Sequence, residues 1–76
     1  MIQTITAEEI LASSIRIVSG EGTVGCAEAY TGTRTMRALK ARLTRERCNG
    51  DRWARAEYLA APETESNPAV YVEVSL

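Results

Sequence analysis

Residues 31–50, TGTRTMRALKARLTRERCNG, decide the fold of this chain. From residue 33 to residue 49 the segment contains no proline or glycine, and most of its residues favour helix. Met36, Leu39 and Leu43 recur at the spacing of one helical face. The segment therefore predicts a long helix with a single apolar side.

Both ends of this helix carry the expected signals. Thr31 or Thr33 can cap its start, because a threonine hydroxyl can accept a hydrogen bond from a free backbone N–H of the first turn. The helix is expected to run through Arg47 and to end at residues 48–50, where asparagine or glycine can adopt the left-handed conformation.

Strand-like segments lie on both sides of the helix. Two precede it, at residues 15–18 and 23–30, with a hairpin turn at residues 19–22 between them. Two more follow it, at residues 53–60 and 69–76. At the start of the chain, Thr6 and Glu9 form a capping-box pattern that predicts a short helix over residues 7–13.

This order of elements predicts an α+β fold in one domain, residues 1–76. Its simplest form is a four-stranded antiparallel sheet with one long helix packed on a face (ββαββ), plus the short N-terminal helix. In the last strand we expect the alternate residues to face inward, namely Val70, Val72, Val74 and Leu76.

The other face of the sheet is expected to be partly open. The small residues proposed to lie under the helix are Ala27, Ala29, Ala54 and Ala56. The residues then placed on the open face are Glu28, Tyr30, Trp53, Arg55, Glu57 and Tyr71. The alternative is that the aromatic residues complete a thin core.

The composition argues against catalysis. The chain has no histidine, the side chain that most often transfers protons near neutral pH. Cys26 and Cys48 have no metal-binding spacing, and we expect both to be buried, reduced thiols. We therefore predict no enzyme activity, no metal and no cofactor.

The sequence also bears on localisation. The first residues, MIQTITAEEI, do not resemble a secretory signal, and no apolar run approaches the length of a membrane span. These features predict a cytoplasmic protein without a membrane partner.

Charge is unevenly distributed along the chain. Residues 34–55 contain eight basic and two acidic residues, a balance of +6 in a chain of net charge −1. On a helical wheel Arg34, Arg37, Arg42 and Arg45 lie opposite the apolar stripe. The residues predicted to bind a partner are Tyr30, Arg34, Arg37, Arg42, Arg45, Arg47, Trp53, Arg55 and Tyr71.

Arginine suits two classes of partner, acidic protein surfaces and phosphates. A pI near 5.4 argues against a dedicated nucleic-acid-binding protein. Direct nucleic-acid binding through the basic helix remains the alternative. A chain of 76 residues has a small core, so a homodimer or an obligate partner is also plausible.

One resemblance adds to this reading. The segment CAEAYT at residues 26–31, the basic helix at residues 34–47 and the hairpin from Trp53 onward resemble small phage-encoded anti-CRISPR proteins that act on type I surveillance complexes. The resemblance is architectural, spans residues 15–76 and includes no diagnostic motif. It implies a stoichiometric inhibitor that blocks a surface of a larger protein or ribonucleoprotein complex, in the host-cell cytoplasm if the chain is phage-encoded.

Overall fold

The computed structural model describes residues 5–76. Its elements are α1 (Ala7–Ala12), β1 (Ile15–Gly20), β2 (Cys26–Ala29), α2 (Met36–Cys48), β3 (Trp53–Ala61) and β4 (Val70–Glu73). The four strands form one antiparallel sheet in the order β2-β1-β3-β4. The predicted α+β class and the order of elements are confirmed.

The core lies between α2 and the two central strands, β1 and β3. Leu39 is fully buried and Leu43 nearly so, while Met36 packs at the margin, which confirms the predicted apolar stripe. Ile10 and Leu11 of α1 pack against the same cluster. Both helices therefore contribute to one face of the sheet.

The strand register assigns residues to the two faces. Ile17 lies opposite Ala56 on β3 and opposite Glu28 on β2, so these three residues share the helix-covered face. Ala54 and Ala56 lie under the helix as predicted. Ala27 and Ala29 do not, because they pair with Val18 and Arg16 on the opposite face.

The prediction for the last strand is wrong for three of its four inward residues. Only Val74 is buried, whereas Val70, Val72 and Leu76 are 48%, 40% and 45% exposed. The physical reason is the position of α2, which packs mainly against β3 and β1 and leaves the edge strand β4 largely uncovered.

Helix α2 starts later than either predicted cap. Its N-cap is Thr35, whose hydroxyl accepts a hydrogen bond from the backbone N–H of Ala38 at 3.1 Å. Arg34 therefore precedes the helix. The C-terminal signal is confirmed, since Asn49 is the C-cap and Gly50 follows it with φ of 110°.

The cap of α1 agrees with the sequence prediction, and the burial of the two cysteines does not. Thr6 and Glu9 form the capping box of α1 as predicted. The predicted burial of the cysteines is wrong, because Cys26 and Cys48 are both free and exposed. Cys26 belongs to the short edge strand β2, all of which is exposed, and Cys48 to the exposed last turn of α2.

Candidate binding surfaces

The predicted partner-binding residues do not form one surface. Three of them, Tyr30, Arg34 and Arg42, have structural roles. The others divide between the exposed surface of α2, with Arg37, Arg45 and Arg47, and the open face of the sheet, with Trp53, Arg55 and Tyr71.

Tyr30 belongs to the core and not to the surface. Its side chain is almost completely buried, and its hydroxyl donates a hydrogen bond to the backbone carbonyl of Thr33. The ring lies so close to Gly32 that a Cβ atom there would approach the hydroxyl to 2.8 Å. The expectation that Tyr30 lies on the open face is therefore wrong, and for this residue the alternative, that it completes the core, is confirmed.

Arg34 links the segment before α2 to the C-terminal end of α1. Its guanidinium donates hydrogen bonds to the backbone carbonyls of Ser13, at 2.7 Å, and Leu11, at 3.2 Å. These carbonyls lie at the C-terminal end of α1, where backbone acceptors lack partners within the helix. Arg34 is exposed, but its interactions are with its own chain.

Arg42 lies at the edge of the apolar stripe and not opposite it. It follows Leu39 by three residues, so it faces the sheet near β2. There it forms salt bridges with Glu46 at 2.6 Å and Glu28 at 3.3 Å, and its side chain is only 17% exposed. Two acidic neighbours therefore balance its charge.

The outer side of α2 keeps a basic surface. We call it the outer helix face and define it by Arg37 and Arg45, which lie opposite the apolar stripe, together with the exposed residues Lys40 and Arg47, which flank the stripe. Arg47 donates a hydrogen bond to the carbonyl of Leu43, one turn earlier. Within residues 5–76, no salt bridge involves these four residues.

The open face of the sheet is organised around Glu57. Oε1 of its carboxylate accepts a hydrogen bond from Nε of Arg16 at 2.8 Å, and Oε2 accepts one from Nε of Arg55 at 2.9 Å. Arg16 lies directly across from Glu57 on β1, and Arg55 lies two residues before it on β3. Both carboxylate oxygens are thus occupied by different arginines.

Each of these arginines also lies over an aromatic ring. The guanidinium of Arg16 is 3.6 Å from the ring centroid of Tyr71, and that of Arg55 is 5.1 Å from that of Trp53. We define the open-face cluster by the residues of this arrangement, Arg16, Trp53, Arg55, Glu57 and Tyr71. It brings two cations, one anion and two aromatic rings together on one side of the sheet, where Glu73 adds a second carboxylate opposite Glu57.

The side chain of Trp53 packs against the β1–β2 loop and forms a hydrogen bond with it. Its indole N–H donates a hydrogen bond to the carbonyl of Gly22. The indole ring packs on two glycines of this region, since a Cβ added at Gly25 would lie 2.3 Å from a ring carbon and one at Gly20 would lie 3.1 Å from another. These contacts therefore fix the position of the indole within the chain itself.

The electrostatic environment keeps Glu57 ionised. Burial by itself raises the pKa of this carboxyl group, but the hydrogen bonds and positive charges of Arg55 and Arg16 together outweigh it. The pKa of Glu57 consequently lies below its ordinary value of 4.5. The cluster thus holds a fixed negative charge between two fixed positive ones.

Arg16 is the member of this cluster that sequence reasoning missed. It stands between Ile15 and Ile17 in a strand that otherwise consists mainly of apolar and small residues. An isolated charged residue in an otherwise apolar strand predicts an oppositely charged partner on the same face of the sheet, because a partly buried charge needs one. The register that places Glu57 opposite it could not be deduced from the sequence.

Among residues 5–76 there is no group of three or more histidine, cysteine or acidic side chains that could hold a metal ion. In the same range, neither helix has the length and apolar character required to cross a membrane. Comparisons of the chain with protein-family models, curated proteins and solved structures find no match.

Proposed function

We propose that this protein is a non-enzymatic binding protein that places its open sheet face on an acidic surface of a larger protein or ribonucleoprotein complex. By covering that surface it would act as a stoichiometric inhibitor. The observation that carries the proposal is the open-face cluster, in which two arginines are fixed by Glu57 and by two aromatic rings.

The cluster is suited to binding because its arginines keep donors for a partner. Arg16 and Arg55 bond Glu57 through Nε, and within residues 5–76 their terminal nitrogens make no hydrogen bond. A guanidinium that is already stacked and bonded loses less side-chain entropy on binding than a free one. Its terminal nitrogens can pair with a carboxylate of the partner.

The residue types agree with a protein interface. Tryptophan, tyrosine and arginine are the residues most enriched among those that dominate binding energy. Trp53, Arg55 and Tyr71 are half-buried, so each keeps part of its surface available. The absence of histidine supports the non-enzymatic part of the proposal.

The resemblance to anti-CRISPR proteins names a first partner to test. A purified type I surveillance complex would be mixed with the protein, and binding of target DNA by the complex would be measured. We expect inhibition that saturates at a fixed molar ratio. Undiminished DNA binding at excess protein would remove this partner and leave other acidic surfaces to be screened by affinity capture from the native host.

Substitution of arginine by lysine tests which surface binds the partner so identified. Arg16→Lys with Arg55→Lys keeps both charges near Glu57 but removes the planar guanidinium groups, so we expect partner affinity to fall by about tenfold or more. The matched control is Arg37→Lys with Arg45→Lys on the outer helix face, which should bind like the wild type. Isothermal titration calorimetry measures both affinities.

The opposite pattern would reject the proposal. If the control pair lost affinity and the Arg16 and Arg55 pair kept it, the outer helix face would be the binding surface. Circular dichroism and thermal melting of each variant verify that the fold is retained.

Direct nucleic-acid binding is the second candidate, and one observation favours it. The outer helix face presents exposed basic residues without salt bridges among residues 5–76. Binding of this kind should weaken steeply as salt increases, because phosphate contacts release counterions. Binding of short DNA and RNA at two salt concentrations distinguishes it from the protein-binding proposal.

A further inference from the structure

Strand β4 forms one edge of the sheet and exposes apolar side chains there. The large hydrophobic residues exposed within residues 5–76 are Ile5, Val24, Val70, Val72 and Leu76. Three of these five lie within seven residues along β4 and the end of the chain. Exposed apolar side chains beside unpaired backbone groups favour pairing with another strand.

The backbone of β4 determines which groups are available at this edge. The N–H of Val74 donates a hydrogen bond to the carbonyl of Ala56 on β3 at 2.8 Å. In an antiparallel pair the residue two positions away points the same way, so Val72 also directs its N–H and C=O toward β3. Tyr71 and Glu73 therefore direct theirs toward the free edge.

Among residues 5–76, Glu73 has no cation as a salt-bridge partner. It lies directly opposite Glu57 in the β3–β4 register, an unfavourable pairing of like charges. Both arginines of the open-face cluster already bond Glu57, and within residues 5–76 Glu73 forms no salt bridge. A partner that supplied a positive charge at this edge would offset the repulsion.

We propose that a second copy of this chain supplies the positive charge near Glu73. The two β4 edges would pair antiparallel about a two-fold axis at Val72. In this register Tyr71 of each copy lies opposite Glu73 of the partner subunit, so the free backbone groups of both residues are paired. Val72 lies opposite Val72 of the partner subunit, and Val70 opposite Val74 of the partner subunit. Two four-stranded sheets become one continuous sheet.

Charge complementarity selects this register. The guanidinium of Arg16 lies over the ring of Tyr71, and Glu73 of the partner subunit arrives beside that ring on the same face. An axis at Tyr71 would instead place Glu73 opposite Ala69 of the partner subunit. An axis at Glu73 would place the two glutamates opposite each other, which is unfavourable.

The association state and one substitution test the proposal. Sedimentation equilibrium of the wild type should give twice the monomer mass of 8.3 kDa. Val72→Asp would place two carboxylates opposite each other at the axis, so dimerisation should weaken at least tenfold. The matched control is Val24→Asp, a change at a valine that is 85% exposed in the β1–β2 loop, and it should stay dimeric.

The register has a test of its own. With Cys26 and Cys48 replaced by serine, Val72→Cys should form a disulfide-linked dimer under mild oxidation, because directly opposed residues of this kind are about 4.5 Å apart at Cα. Tyr71→Cys in the same background should cross-link poorly. This test also decides the matter if Val72→Asp fails to fold.

Three results would overturn the proposal. They are a wild-type monomer at the highest concentration that stays in solution, a dimer that Val72→Asp leaves intact, and preferential cross-linking through Tyr71→Cys. The test residue Val72 lies on the helix side of the sheet. Val72→Asp therefore leaves every side chain of the open-face cluster unchanged, and partner binding at that cluster is measured separately.

Discussion

Glu57 is the residue on which the open face of the sheet depends. Its side chain is 11% exposed and bonds two arginines at once. Removing its charge would leave both guanidinium groups without their anion while the aromatic rings still hold them in place. Stability and the geometry of the proposed binding surface are therefore linked at this position.

Glu57→Gln should lower the free energy of unfolding by about 1.5–3 kcal/mol at pH 7, the range for hydrogen bonds that involve charged groups. Because the folded state lowers the pKa of Glu57, its contribution is complete above the ordinary value of 4.5 and is lost as the pH falls through the lower pKa of the folded state. The difference between wild type and variant should shrink accordingly in acid.

Urea unfolding at several pH values measures this difference. The control is Glu63→Gln in an exposed loop, which should change stability by no more than about 0.5 kcal/mol. A gap between wild type and Glu57→Gln that stays constant down to strongly acidic pH would contradict the assigned role of the carboxylate.

Gly25 is the second residue whose substitution should have a large effect, because its Cα lies against the indole ring of Trp53. Gly25→Ala would place a methyl group 2.3 Å from the indole of Trp53, so the ring must move away from the loop. We expect a loss of about 1–3 kcal/mol, the usual cost of overpacking. We also expect a shift in tryptophan fluorescence, which reports on Trp53 alone because the chain has one tryptophan.

Gly22→Ala provides the comparison for this variant. A Cβ atom at Gly22 would meet no atom within 4 Å, and its φ does not require glycine. Its fluorescence and melting temperature should match the wild type. Equal effects of the two substitutions would indicate general loop sensitivity instead of a contact with Trp53.

At the scale of elements, the start of α2 shows why caps are hard to place from sequence. Three threonines, Thr31, Thr33 and Thr35, alternate before the helix, and each could cap it. The buried ring of Tyr30 decides between them, because its hydroxyl bonds the carbonyl of Thr33 and holds the preceding turn out of the helix. That tertiary contact is not visible in the local pattern.

Thr35→Ala should therefore destabilise the protein by about 1 kcal/mol, the typical value for loss of a threonine cap. Thr33→Ala keeps the backbone carbonyl that Tyr30 uses, so its effect should be within about 0.5 kcal/mol. Thermal unfolding followed by circular dichroism compares the two. A larger loss for Thr33→Ala would return the cap to one of the predicted positions.

Strand β4 shows a second limit of pattern reasoning. Its alternating valines correctly indicate a strand, and Val74 is buried as predicted. Alternation identifies the side of the sheet but not how far the covering helix reaches. With one helix of 13 residues over the central strands, the edge strand stays exposed.

For the whole molecule, the fold can be predicted from local sequence signals, but which residues share a surface cannot. The elements, their order and the sheet type could be predicted because apolar periodicity, turns and caps are local. The basic segment at residues 34–55 could not be assigned to one surface, because β3 carries Arg55 to the open face while α2 carries Arg37 and Arg45 to the opposite side. Only the register separates them.

The pairing of β1 with β3 also has a consequence for how the chain folds. Ile15 lies beside Tyr58 at the centre of the sheet, so the two central strands join residues that are 43 positions apart. Chain-closure entropy opposes such a contact until the intervening segment becomes compact. The β1–β2 hairpin and α2 are local structures that can shorten this separation early. We therefore expect docking of β3 onto β1 to be the slow step of folding.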